Sequence, residues 1–295
     1  LVALTLPVAA LIAAGGPAQV FATLAAEAPP EYLQITGGRA GFMLVGFVLG
    51  VWGVGIGALG QPQLMSRLMA VKDEAARYRG FAIAIVWAVI MFTGMTVLAL
   101  AGRALVGGAE NGENLFYLLA GDLLPPVLAG IVLAAVLSAV MSTVDSILLV
   151  AAAAIAHDMG LSRRFPGSEL TVSRIVMLAI ALVAIWMTLA LPSTIFARVL
   201  FAWAALGAAF GPIIIMRVMR FEPSGRAILG AMASGFALTV FFNAMGAVDP
   251  AGLDGVMRIL SDLARLPGDP FERVMPWVPA LLILWLGRQR GGLAQ

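Results

Sequence analysis

Apolar runs long enough, or nearly long enough, to cross a lipid bilayer recur along this whole sequence, at 1–15, 41–60, 81–105, 127–156, 175–191, 195–216, 227–245 and 274–286. A hydrocarbon core about 30 Å thick takes roughly 20 helical residues, and inside it the backbone must satisfy its own hydrogen bonds. With 61% apolar and only 12% charged residues, a water-soluble globule of this chain would lack polar cover for its surface. We therefore expect an all-α integral membrane protein of about eight transmembrane helices, with 1–295 forming a single membrane domain. The net charge of +2 carries no nucleic-acid reading, because the 18 basic residues are scattered between apolar runs and form no patch. With no cysteine, a disulfide framework, a thiolate metal site and a cysteine nucleophile are all excluded.

The first run has no basic segment before it, which argues against a signal peptide. Its apolar part, 1–14, reaches only about 21 Å as a helix, so we expect a truncated first span and further N-terminal helices in the parent chain. Basic residues set the orientation. The second, fourth, sixth and C-terminal connectors hold twelve: Arg67, Lys72, Arg77, Arg79, Arg163, Arg164, Arg174, Arg217, Arg220, Arg226, Arg288 and Arg290. The other connectors hold six, among them Arg39, Arg103 and Arg273, together with ten acids such as Glu27, Glu110, Asp122, Asp249 and Asp269. Cytoplasmic connectors retain Lys and Arg, so the C-terminus is expected in the cytoplasm, with the protein in the plasma (inner) membrane. The connector 246–273 has room for a short amphipathic helix around 257–266.

Fifteen of the sixteen acids fall in connectors; Asp145 alone lies well inside a span. A carboxylate there costs at least about 2.5 kcal/mol on insertion scales, so it should face protein, water or an ion. At about 100° per residue, with Ser142 as reference, Ser138 falls near −40°, Ala139 near +60°, Thr143 near +100°, Asp145 near −60° and Ser146 near +40°. Such an arc of hard oxygen ligands suits an alkali cation shedding its water. The plain alternative is hydroxyls bonding back to carbonyls four residues earlier on a face of small residues that packs closely.

The second span ends with Gly53, Gly55, Gly57 and Gly60 before Gln61-Pro62, so a break in the helix is expected there. Broken helices are where transporters offer backbone and amide groups to a solute, and Gln61 has both a donor and an acceptor. Glycine packing before an ordinary helix end is the alternative. The same glycines spell GxGxxG, but the βαβ context of a dinucleotide site is missing. His157, the single histidine, reads as a helix-end residue, and no intramembrane serine has a histidine partner, which weighs against a hydrolase. Trp203, mid-span beside Gly207 and Gly211, is a packing residue by default.

Three stretches carry a resemblance: GQPQLMSRLMAVKD from Gly60, PVLAGIVLAAVLSAVMSTVDSILLVAAAAIAHDM from Pro126, and AWAALGAAFGP from Ala202. Together they resemble the sodium/solute symporter family, nearest its sodium/proline symporter branch. The resemblance implies part of an inverted-repeat (LeuT-like) transporter bundle, with solute and sodium held where helices break at mid-membrane. It implies a main sodium site with the Ala139 carbonyl and the Ser142 and Thr143 hydroxyls, completed by carbonyls of an earlier helix. A second cation site, implied by some relatives, would use Ser142, Asp145 and Ser146. Substrate-binding candidates are Gln61, Gly57, Gly60 and Trp203. Proline-transporting relatives tend to show GWGLGYFGQP; aligned on Gln61-Pro62, Val54 stands at the tryptophan and Ala58 at the tyrosine. The expected function is sodium-coupled symport of a small organic solute, an amino acid such as proline, with Na+ as coupling ion and no enzymatic activity. A transporter-like membrane solute sensor is the alternative.

Overall fold

The computed structural model describes residues 4–107, 112–161, 163, 165, 168–190 and 194–288. Glu110, Arg164, Arg290, Leu191 and the first three residues of the opening run lie outside the described residues. The chain is built of helices that divide into two compact units, one from 1–37 with 70–192 and one from 38–69 with 193–295.

The first unit begins with α1 (Thr5–Ala13) and α2 (Pro17–Glu27), which meet at an angle of 68°. Gly15 and Gly16 make that corner at φ values of 82° and 92°, and Pro17 opens α2 at the position where its missing N–H costs nothing. The long α5 (Glu74–Val106) is capped by Asp73, whose carboxylate accepts the Ala76 N–H at 2.7 Å. It begins seven residues before the apolar run that forecast it, since a charged, exposed stretch with Glu74, Arg77 and Arg79 continues the helix beyond the lipid-crossing stretch. A short α6 (Leu115–Leu123) leads into α7 (Pro126–Ala153), and after a π-helical turn at Ala154–Asp158 comes α8 (Glu169–Ala190). Leu6, Ala10, Val20, Leu24, Leu98, Leu119 and Val132 close the core of α1, α2, α5, α6 and the start of α7. Ala152, Ala156, Val172 and Val176 seal the far end of α7 against α8.

The second unit comprises α3 (Gly41–Gly57), α4 (Pro62–Met69), α9 (Ile195–Val218), α10 (Gly225–Ala247), α11 (Gly255–Ala264), α12 (Pro270–Arg273) and α13 (Trp277–Leu286). Its central helix is α9, packed against α3, α10 and α13. Pro212 lies inside α9 and cannot donate to the Ala208 carbonyl, and Gly235 of α10 lies against that same oxygen: an added Cβ would come within 2.2 Å of it. Met216, Ala231, Ala280 and Leu284 join α9, α10 and α13 into one core.

Six helices among the described residues are long and apolar enough to cross a membrane, or seven if α1 and α2 are one bent span. The run at 274–286, expected as an eighth span, forms α13 of only 10 residues, about 15 Å, because 274–276 turns before the helix begins. The expected amphipathic connector helix is α11. Large side chains such as Leu178, Leu182 and Trp186 on α8 are exposed, as lipid-facing residues are.

Candidate functional site

Residue chemistry breaks α3 where glycine and proline meet. The helix ends at Gly57, a 3-10 turn spans Ala58–Gly60, and Gln61 is extended at φ −85°, ψ 109° before Pro62 opens α4. Gln61 is buried. Its Oε1 accepts a hydrogen bond from Gln63 Nε2 at 3.2 Å, while its own Nε2 is buried with no hydrogen-bond partner among the described residues. A free amide donor in such a place costs about 1–3 kcal/mol unless an acceptor meets it.

Gly57, Gly60 and Trp203 join Gln61 in the second unit. An added Cβ on Gly57 would lie 2.8 Å from the Trp203 carbonyl oxygen, and one on Gly60 would lie 2.1 Å from that of Leu206. Both glycines thus let the breaking helix rest directly on the backbone of α9. The structure brings all four substrate-binding candidates together, with the two glycines and Trp203 contributing backbone packing and Gln61 the unsatisfied polar group.

The cation candidates Ala139, Ser142, Thr143, Asp145 and Ser146 lie on α7, in the first unit. An open groove along this helix is lined by Ala134, Leu137, Ser138, Met141, Ser142, Asp145 and Ser146. Ser138, Ser142, Asp145 and Ser146 therefore share one face, as the 100° spacing requires. Thr143 Oγ1 donates to the Ala139 carbonyl at 3.0 Å and Ser146 Oγ to the Ser142 carbonyl at 2.9 Å. These are back-bonds of the kind hydroxyls make in apolar helices. A hydroxyl that donates in this way still has lone pairs for a cation. Asp145 has no hydrogen-bond or ion-pair partner among the described residues.

One polar cluster escaped the sequence reading. Glu272, on α12, is buried, and its Oε2 accepts from Asn243 Nδ2 at 3.0 Å, while its backbone carbonyl accepts from Thr239 Oγ1 at 3.3 Å. Burial pushes the Glu272 carboxyl above its ordinary range, with the Asn243 hydrogen bond pulling the other way, Asp269 adding to the rise and Arg273 opposing it. Counted by position alone, Glu272 and Arg273 are connector charges. The available signal was the run Pro267-Gly268-Asp269-Pro270, a turn too tight for an unstructured connector.

Comparison with known proteins accords with this architecture. The family model described as "Sodium:solute symporter family" matches residues 1–236. The chain is 34% identical over 205 residues to the sodium/proline symporter of Escherichia coli, covering 65% of this chain and 41% of that protein. It is 31% identical over 214 residues to the sodium/proline symporter of Salmonella typhimurium, covering 68% and 43%. It is 30% identical over 270 residues to the osmoregulated proline transporter OpuE of Bacillus subtilis, covering 88% and 54%. The chain thus spans about half the length of the curated relatives it matches. No solved structure matches. The relatives are transporters rather than enzymes, and a membrane-embedded helical chain matched by the family model over 1–236 belongs to the sodium:solute symporter family.

Proposed function

We propose that this protein carries out sodium-coupled symport of a small organic solute, an amino acid such as proline, across the plasma membrane. The observation that carries the reading is the buried, unpartnered Gln61 amide donor at the break between α3 and α4, in a chain of the sodium:solute symporter family. The relatives named above, proline carriers by their printed names, support the solute class.

In this reading the Gln61 amide donates to an acceptor oxygen of the solute, with Gly57, Gly60 and Trp203 holding the broken helix in place. Sodium is bound by the Ala139 carbonyl and the Ser142 and Thr143 hydroxyls, and a second cation by Ser142, Asp145 and Ser146. Coupling follows if sodium binds better to the state that admits the solute, since an ion with equal affinity for all states shifts none of them. The twelve-to-six distribution of basic residues supports a cytoplasmic C-terminus.

The test is counterflow of labelled amino acids into lipid vesicles containing the intact protein, with sodium or with potassium in its place. Accumulation of labelled proline in sodium alone supports the reading. Counterflow that is equal in both salts refutes sodium coupling, and sodium-dependent counterflow of a different solute replaces proline while leaving the coupling in place.

A further inference from the structure

We propose that the segment 268–274 is a clamp on α3 upstream of Gly57, with Glu272 as its latch, and that Glu272 is thereby a positioning residue for Gln61. This rests on the reading of Gln61 as a solute ligand. The four buried residues of α3 are all glycines: Gly46, Gly50, Gly53 and Gly57. The helix therefore seats backbone on backbone, with no buried side chain to interlock it, and whatever lies on the glycine ridge sets its position.

Two bodies share that ridge. Gly57 rests on α9 at Trp203. Gly50 and Gly53 rest on the clamp: an added Cβ on Gly50 would come within 1.7 Å of the Gly268 carbonyl oxygen, and one on Gly53 would come within 2.8 Å of Val274 Cγ2. The clamp is built for close approach, since Gly268 has φ +85°, Asp269 is left-handed at φ 51°, and Asp269 pairs with Arg273 four residues on. It is tied in turn to α10, through Asn243 to the Glu272 carboxyl and through Thr239 to the Glu272 carbonyl. A displacement at Gly50 or Gly53 is carried by an unbroken helix over four to seven residues, about 6–10 Å, to Gly57 and the turn that presents Gln61.

Two readouts test the latch. Hydrogen exchange reports the clamp whatever the solute: Glu272→Ala and, as a second variant, Asn243→Ala should speed amide exchange in 57–65 by about tenfold, with α13 unchanged. Glu272→Gln keeps an acceptor oxygen for Asn243 and should restore parental exchange. Transport reports the positioning: both alanine variants should raise the half-saturating solute concentration by about fivefold at an unchanged maximal rate, with the double variant no worse than either single one. Parental exchange in 57–65 overturns the clamp even if transport is lost. Exchange that rises equally across α9, α10 and α13 makes Glu272 a general stability residue and also overturns it. Faster exchange with parental solute affinity keeps the clamp but overturns the positioning of Gln61 by Glu272, and Gln61→Ala tests the solute site itself.

Discussion

The Thr143 hydroxyl donates to the carbonyl oxygen of Ala139 at 3.0 Å, so two of the groups assigned to one cation site are already bonded to each other along a single helical turn. The bond orients the threonine oxygen with its lone pairs directed away from the helix backbone, which a coordinating hydroxyl requires. Asp145 shares the arc without a partner of its own among the described residues. Asp145→Asn preserves size and polarity and removes the charge. It should lower apparent sodium affinity by about tenfold, roughly the worth of one charge-assisted contact, in uptake measured against sodium concentration. Parental affinity in that variant would make the carboxylate structural.

Gln61 should act on the solute and not on the ion. Gln61→Ala removes a buried donor that no acceptor among the described residues uses, at the loss of one hydrogen bond from Gln63, so the fold loses little and the solute loses a hydrogen bond. Solute affinity is expected to fall about five- to tenfold while sodium binding, followed in the absence of solute, stays near parental. Loss of protein from the membrane with normal solute affinity in what remains would show that the amide is a packing group.

The glycines near the break separate cleanly by space. Gly60→Ala drives a methyl into the Leu206 carbonyl, a backbone atom that cannot swing aside, and should cost about 1–3 kcal/mol of stability. Gly55→Ala, with nothing within 4 Å of the added carbon, should be neutral or stabilising by about 0.5 kcal/mol. Thermal unfolding of the two variants in one detergent makes the comparison.

Glu272 predicts a pH dependence of stability. Its carboxyl is raised by burial, so the folded protein holds that proton more tightly than the unfolded chain does. At pH values below the ordinary glutamate range both states are protonated and the burial carries no ionisation cost. As pH climbs through that range toward the raised value, the unfolded state ionises first and stability falls; above the raised value the cost is constant. Glu272→Gln should remove this decline, seen as a flatter profile of melting temperature against pH. An unchanged profile would show that Asn243 offsets the burial.

Local chemistry explains which features were legible beforehand. The break at Gln61 was readable because glycine freedom and the missing proline donor act on the chain itself, and the polar arc of α7 was readable because helical periodicity alone sets it. The resemblance to the symporter family rested on contiguous stretches and is borne out by the family match. The corner at Gly15 and Gly16 was missed because α2, with Gln19, Thr23 and Glu27, falls below the apolar density of a span, although Val20 and Leu24 four apart are buried. The clamp was missed for a different reason: Glu272 and Arg273 read as connector charges, and tertiary contacts, those with α3 and α10 among them, bury them. The contact with α3 joins positions more than 200 residues apart, which no local pattern encodes.

Sodium coupling through α7 is tested most directly by sodium titration of labelled proline uptake into vesicles containing the intact protein, parental and with Ser142→Ala and Thr143→Ala combined. Loss of the two proposed oxygen ligands should raise the half-maximal sodium concentration by at least about tenfold, with correctly inserted protein at parental amounts. A sodium dependence identical to that of the parent would contradict the account.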